Sequence, residues 1–364
     1  MKSKKGLSMA VALCAFFSVF SISILPVSAT SDLYTDDKGN TAVISQTAVS
    51  GKYALTLHFA NGYDYISGEI VDGMNTSNNS GSLNGRVKSL LLGAVGKYNA
   101  NHATTLTAPA LGYVAQFIDV NYSITELKVT SATGIFVSKY LFNTILPADG
   151  FVNLEKVDLS GMNITNSYLN TSSANKNIVN NNPVFANDSA TSIIKFYTNQ
   201  TNTTTISGDR AVIYQKLNTI ILPSTLLILG SHTMRNIPAL KEIVVPNGVA
   251  TIGHYVFSGC TSLTKITLSS QLTSYGLYSG LYYTNTADPG FVTDWVYHGS
   301  ALDSNSKARL FLDIKKNNAA VNIDLSGSNF SASELLTITK TDKLKTLNVS
   351  ESNIDWSSGE GINV

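Results

Sequence analysis

Between Leu217 and Gly276 the apolar positions recur every 23 residues. Leu217, Leu240 and Leu263 open three copies, followed by Ile220, Ile243 and Ile266 and then by Leu222, Val245 and Leu268. Pro223 and Pro246 come next, with Ser269 in the third copy, and Gly230, Gly253 and Gly276 close the series. A fixed period of this length marks a solenoid, whose unit is one supersecondary turn that cannot bury its apolar side alone. Within a unit, Ile243 and Val245 share a face of an extended segment because side chains alternate along a strand. Leu240 enters the same core from the preceding turn. Pro246 ends the strand, since it has no N–H for a ladder, and Asn247-Gly248 turns the chain. Val249, Ile252, Val256 and Phe257 supply the apolar side of the return segment.

Longer forms of the unit lie on either side. Ile124-x-x-Leu127-x-Val129, Leu154-x-x-Val157-x-Leu159 and Leu344-x-x-Leu347-x-Val349 fit the strand, and Ile323-x-Leu325 fits from its second position. Asn163, Asn329 and Asn353 follow three of these strands and are expected to bond the turn backbone. Ile135–Leu146 is expected to form a helix, and Ser331-x-x-Glu334 is a capping box for another. The first part of the chain has a different rhythm. Thr41–Ser50 and Lys52–Phe59 alternate like a hairpin around Ser50-Gly51. Leu83, Val87, Leu90, Leu91, Ala94, Val95 and Tyr98 fall at helical spacing. Asp36-Asp37-Lys38-Gly39-Asn40 has the look of a calcium loop but lacks the downstream Glu, so a hairpin turn is the better reading.

The block Leu240–Leu268 resembles the BspA-like leucine-rich repeats of bacterial surface proteins, through Leu240, Ile243, Val245, Pro246, Val249, Ile252, Gly253, Phe257 and Cys260. It departs at Val256, where Ala is usual, and the close match covers about 60 residues. The expected fold is an α/β solenoid, a leucine-rich repeat array with a parallel β-sheet face, preceded by a small N-terminal α+β cap. The expected organisation is a signal peptide over 1–29, the cap over 30–110 and the array over 111–364, with insertions at 168–208 and 276–307.

The leader reading rests on Lys2, Lys4 and Lys5, an apolar stretch from Leu7 to Leu25, and Val27-Ser28-Ala29 as a cleavage site. Its removal would leave Cys260 as the one cysteine, which excludes an internal disulfide framework; a buried small hydrophobe is expected there. The chain shows no sorting motif, hydrophobic tail or second membrane-length stretch, so release or non-covalent retention outside the cell is expected. Charged residues make up only 13% and the net charge is +1, which argues against a nucleic-acid footprint.

No nucleophile elbow, zincin or phosphate-loop motif is present. His232 and His254 occupy nearly equivalent places in adjacent coils; solvated side chains are favoured over a weak metal site, which needs more ligands. No catalytic residue, metal or cofactor is expected. Binding is. Strand alternation turns Lys128, Asp158, Ile221, Val244, Thr267, Asp324 and Asn348 towards solvent on the sheet face, where Ile221 and Val244 have no core to enter. They mark a contact patch or a place where the aromatic insertion folds back. That insertion carries Tyr278, Tyr282, Trp295 and Tyr297, which either bind or fill a widened core. The resemblance implies a secreted or cell-surface protein that contacts proteins or glycans of host or neighbouring cells. The alternatives are an exported polysaccharide-acting enzyme with Trp295 and the tyrosines as a sugar platform, and a structural extracellular protein without a dedicated ligand.

Overall fold

The computed structural model describes residues 31–60, 83–106, 123–132, 153–162, 215–230, 233–234, 237–277, 292–316, 319–339, 342–355 and 357. The expected leader, the helix over Ile135–Leu146, the 168–208 insertion, Asn163, His232, Tyr278 and Tyr282 lie outside these residues. The elements that follow all belong to the compact unit Asp32–Val364.

Strands β1 (Tyr34–Thr35) and β2 (Thr41–Gln46) pair antiparallel, and β2 pairs antiparallel with β3 (Tyr53–Phe59). The β1–β2 turn is tied by the Asp36 carboxylate, which accepts from the Lys38 and Asn40 amides at 2.9 Å each. Helix α1 (Leu83–His102) extends one turn beyond its periodic stretch and buries Val87, Leu90, Leu91, Ala94, Val95 and Tyr98. From β3 onward the pairing turns parallel, through β4 (Ile124–Ser131), β5 (Lys156–Asp158) and β6 (Thr219–Ile221), and β1 to β6 form one sheet.

The chain then runs through β7 (Ile228–Leu229), β8 (Glu242–Val244), β9 (Thr251–Ile252), β10 (Lys265–Thr267), β11 (Ser274–Tyr275), β12 (Asp294–Val296), α2 (Ser304–Lys316), β13 (Asn322–Asp324), β14 (Asn329–Ser331), α3 (Ala332–Thr339), β15 (Thr346–Asn348) and β16 (Asn353–Asp355). Strands β8, β10, β12, β13 and β15 make a second parallel sheet. On another side of the coils, β7, β9 and β11 pair in parallel, as do β14 and β16. The first two sheets meet where the Lys241 amide donates to the Asn218 carbonyl at 3.4 Å.

The core is a set of ladders one residue wide. Val157, Ile220, Ile243, Ile266, Trp295 and Ile323 hold one repeat position, and Leu159, Leu222, Val245, Leu268, Tyr297 and Leu325 the next; all are buried. Trp295 and Tyr297 therefore correct the expected insertion over 276–307. Asp294, Trp295 and Val296 register with Lys265, Ile266 and Thr267 on one side and with Asn322, Ile323 and Asp324 on the other. Val292-x-x-Trp295-x-Tyr297 is an aromatic version of the strand unit. The room for its larger rings lies beneath α2 and α3, where Tyr297 and Phe311 both pack against Phe330, at ring separations of 6.2 and 5.0 Å.

Two turn devices recur. In the 23-residue coils the backbone stacks directly: a Cβ on Gly276 would lie 2.3 Å from the Gly253 carbonyl carbon and oxygen, so the closing glycine is a packing requirement. In the longer coils the last strand residue ties the turn, with Asp158 accepting from Ser160 N (2.9 Å), Asp324 from Ser326 N (3.0 Å) and Asn348 from Ser350 N (3.0 Å). This corrects the role expected for the later asparagines. Asn329 and Asn353 are exposed, because the strand-end side chain already reaches the amide two residues on. The capping box forms as expected: Ser331 N donates to the Glu334 carboxylate (2.8 Å) and Glu334 N to Ser331 Oγ (3.2 Å).

Candidate binding face

Every second residue of the paired strands points away from the core, and the register sorts these residues into two rows. One row runs Glu126, Lys156, Thr219 in the first sheet and Glu242, Lys265, Asp294, Asn322, Thr346 in the second. The other runs Lys128, Asp158, Ile221 and then Val244, Thr267, Val296, Asp324, Asn348. The seven sheet-face positions read from the sequence all fall in this second row. Val296 was missed, because its strand lay inside the expected insertion; the spacing of Val292, Trp295 and Tyr297 is the signal that finds it.

The first row is largely satisfied within itself. Lys156 approaches Glu126 at 3.5 Å. Asn322 Nδ2 donates to Asp294 at 2.6 Å, and the Thr346 hydroxyl donates to Asn322 Oδ1 at 2.7 Å. Thr293 donates its hydroxyl to the other Asp294 oxygen. The second row is closed at its charged positions and open between them. Lys128 lies 3.7 Å from Asp158, and His298 lies 3.2 Å from Asp324. Partial burial opposes ionisation of Asp158, but the Ser160 hydrogen bonds and the two lysines outweigh it and hold its carboxyl below the ordinary range. The Ser326 bonds and His298 do the same for Asp324. Between these pairs stand Ile221 (39% exposed), Val244 (60% exposed), Thr267 and the half-buried Val296. At the spacing of paired strands this stretch is about 15 Å long. Asp158, Asp324 and Asn348 are thus turn anchors first, and the side chains left without such a role are those in the apolar middle of the row.

The aromatic positions separate. Trp295 and Tyr297 are each only 2% exposed, so neither offers a ring to a sugar; they are core residues, because they occupy the ladder positions of Ile266 and Leu268. Burial pushes the Tyr297 hydroxyl up to about 12. Cys260 is buried, donates its thiol to the Met234 carbonyl at 3.1 Å and is likewise raised to about 12 by desolvation. His254 accepts from the Leu277 amide at its Nδ1 (2.9 Å), and burial, then Arg309, holds its pKa below the ordinary value. Among the described residues no group of three or more His, Cys, Asp or Glu side chains could hold a metal ion. No helix among them is long and apolar enough to cross a membrane.

Residues 177–287 match the family model of the BspA type leucine-rich repeat region, in six copies. No curated protein matches the chain. The matched segment contains β6 to β11, whose repeats imply a solenoid-like fold, and the strand register described above continues past it through β12, β13 and β15. The chain therefore carries a BspA-type leucine-rich repeat region.

Proposed function

We propose that the protein is a secreted or cell-surface binding protein that holds a protein or glycan of a host or neighbouring cell on its parallel-sheet face, centred on Ile221, Val244, Thr267 and Val296. The observation that carries this reading is the apolar middle of a row whose charged positions are already paired. Isolated exposed apolar side chains are ordinary, but a contiguous patch bordered by polar residues is the usual form of an interaction site. Repeat arrays provide such faces by stacking equivalent positions. Membership of the BspA-like repeat family points the same way, since its members are often cell-surface adhesion proteins. The basic, apolar and small-residue pattern of residues 1–29 supports export. The cap-like hairpin and α1 at the start of the array fit the need of a solenoid to cover its terminal coil.

The test is binding of the chain to immobilised extracellular-matrix proteins, mucin and a glycan panel, beside an Ile221→Lys/Val244→Lys variant. The expected result is saturable binding that the variant loses by about tenfold or more, as for substitutions at the centre of an interface. Binding to none of these surfaces, or equal binding by the variant, contradicts the proposal.

A further inference from the structure

Beside the apolar middle of the second row, the first row leaves two charges open. Glu242 stands next to Val244 on β8, and Lys265 next to Thr267 on β10. Both are exposed, and neither takes an ion pair among the described residues. The register sets them opposite each other on paired strands. Their neighbours in the same row are tied: the Thr219 hydroxyl donates to Asn218 Oδ1 at 2.8 Å, and Asp294 accepts from Asn322 Nδ2 and the Thr293 hydroxyl. An open anion and an open cation therefore lie side by side along an apolar stretch of about 15 Å.

This chemistry separates the ligand classes. None of the outward residues in the two rows is aromatic, so the face has no ring on which a sugar stacks. Ile221, Val244 and Val296 offer no partner to sugar hydroxyls, and a hydroxyl covered without one keeps its desolvation cost. Apolar side chains of a polypeptide have no such cost, and the spacing of the row selects their conformation. Successive positions stand about 4.8 Å apart, whereas same-face residues of a strand are about 6.7 Å apart. A strand laid along the row is therefore out of step by about 6 Å after three steps. A helix repeats its stripe every turn, about 5.4 Å, and drifts by only about 2 Å over the same length. We propose, resting on the binding reading above, that the occupant is a protein: an amphipathic helix of about three turns laid across β6, β8, β10 and β12. Its apolar stripe covers Ile221, Val244, Thr267 and Val296, and its flank sets a basic side chain against Glu242 and an acidic one against Lys265, at the one-turn spacing of helix neighbours.

Binding of the whole chain to the matrix, mucin and glycan surfaces after pronase or periodate treatment separates protein from sugar. Pronase should abolish binding, and periodate should leave it intact. Three synthetic helical peptides then probe the face by fluorescence anisotropy: one with a leucine stripe flanked by a lysine and a glutamate one turn apart, its scrambled form, and its charge-exchanged form. The striped helix should bind the chain and the scrambled one should not. Glu242→Lys combined with Lys265→Glu should weaken the striped helix about fivefold and strengthen the charge-exchanged one by about the same factor, the effect of two exposed ion pairs. Binding that survives pronase and is lost to periodate makes the occupant a glycan and overturns this proposal while the binding face stands; binding to no surface contradicts the face itself. A striped helix that binds no better than its scramble, or affinities indifferent to the charge exchange, also overturns the proposal.

Discussion

Gly276 and Glu351 show how single backbone positions carry the coil. At Gly276 the neighbouring coil occupies the place of a side chain, with the His254 amide nitrogen 2.6 Å from where a Cβ would stand. Gly276→Ala forces two stacked turns apart and should cost about 1–3 kcal/mol, the usual range for overpacking, in denaturant unfolding. Glu351 takes φ +58°, in the turn position where Gly327 takes φ +69° one coil earlier. Left-handed backbone costs an L-residue about 1–2 kcal/mol, so Glu351→Gly should stabilise the protein by about 1 kcal/mol in the same measurement. Gly276 was visible in the sequence as a repeat offset, but the turn position of Glu351 was not, nor was which residue tied the longer turns. Asp158 and Asn163 are equally good turn residues on paper, and only the direction of the strand end puts the Asp158 carboxylate against the Ser160 amide.

Burial at residue level also gives a pH dependence. The Cys260 thiol, ordinarily near 9, and the Tyr297 hydroxyl, ordinarily near 10, are both raised to about 12 in the folded protein. Between the two values the unfolded chain has released these protons and the folded chain still holds them, so the unfolded state binds fewer. Stability must then fall as pH rises, from about pH 9 for Cys260 and about pH 10 for Tyr297, by up to about 1.4 kcal/mol per pH unit for each group. Thermal unfolding across pH 8 to 11 checks this, with a flat profile as the contrary result. The same burial predicts that Cys260 resists thiol reagents in the native protein at pH 8 and reacts once it is unfolded.

At the scale of the element, α2 is the piece that periodicity did not reveal. Its start is marked by Asp303, whose carboxylate accepts from the Ser306 amide at 2.7 Å, and Leu310, Phe311 and Ile314 line its buried side. These signals sit beside an aromatic, turn-rich stretch that reads as an insertion, and the reading of an insertion hid both α2 and β12. The strand motif tolerates any large apolar residue at its ladder positions; aliphatic Leu and Ile made the 23-residue copies obvious, whereas Trp295 and Tyr297 disguised the next one. The helix is fastened by polar contacts: the Tyr275 hydroxyl donates to the buried Asp313 carboxylate at 2.9 Å, and the Tyr275 amide donates to Ser306 Oγ at 2.9 Å. Tyr275→Phe keeps the ring and removes one bond to a buried carboxylate. It should lower stability by about 1–3 kcal/mol, with hydrogen exchange accelerating first in α2.

For the whole molecule, the repeat period prescribes both what is hidden and what is shown. Inward positions become ladders of large apolar residues, and outward positions become rows whose chemistry is the sum of the coils. Five of the rows' sixteen positions carry ion pairs, Glu126 with Lys156, Lys128 with Asp158, and Asp324 with His298 outside the row, so the apolar centre of the second row stands out by contrast. Ile221 and Val244 were legible as part of that centre because they lie in the regular copies; Val296 was not, because its coil was disguised. The account rests on this centre being a contact surface, and the most direct measurement is the affinity of single lysine substitutions along the row for whichever surface of the panel binds the chain. Ile221→Lys, Val244→Lys and Val296→Lys should each weaken binding by about tenfold, the exposed Ile221 and Val244 variants while leaving unfolding stability within about 0.5 kcal/mol of the parent, and Asn348→Lys at the end of the row should leave binding unchanged. Undiminished affinity in all three central variants would contradict the account.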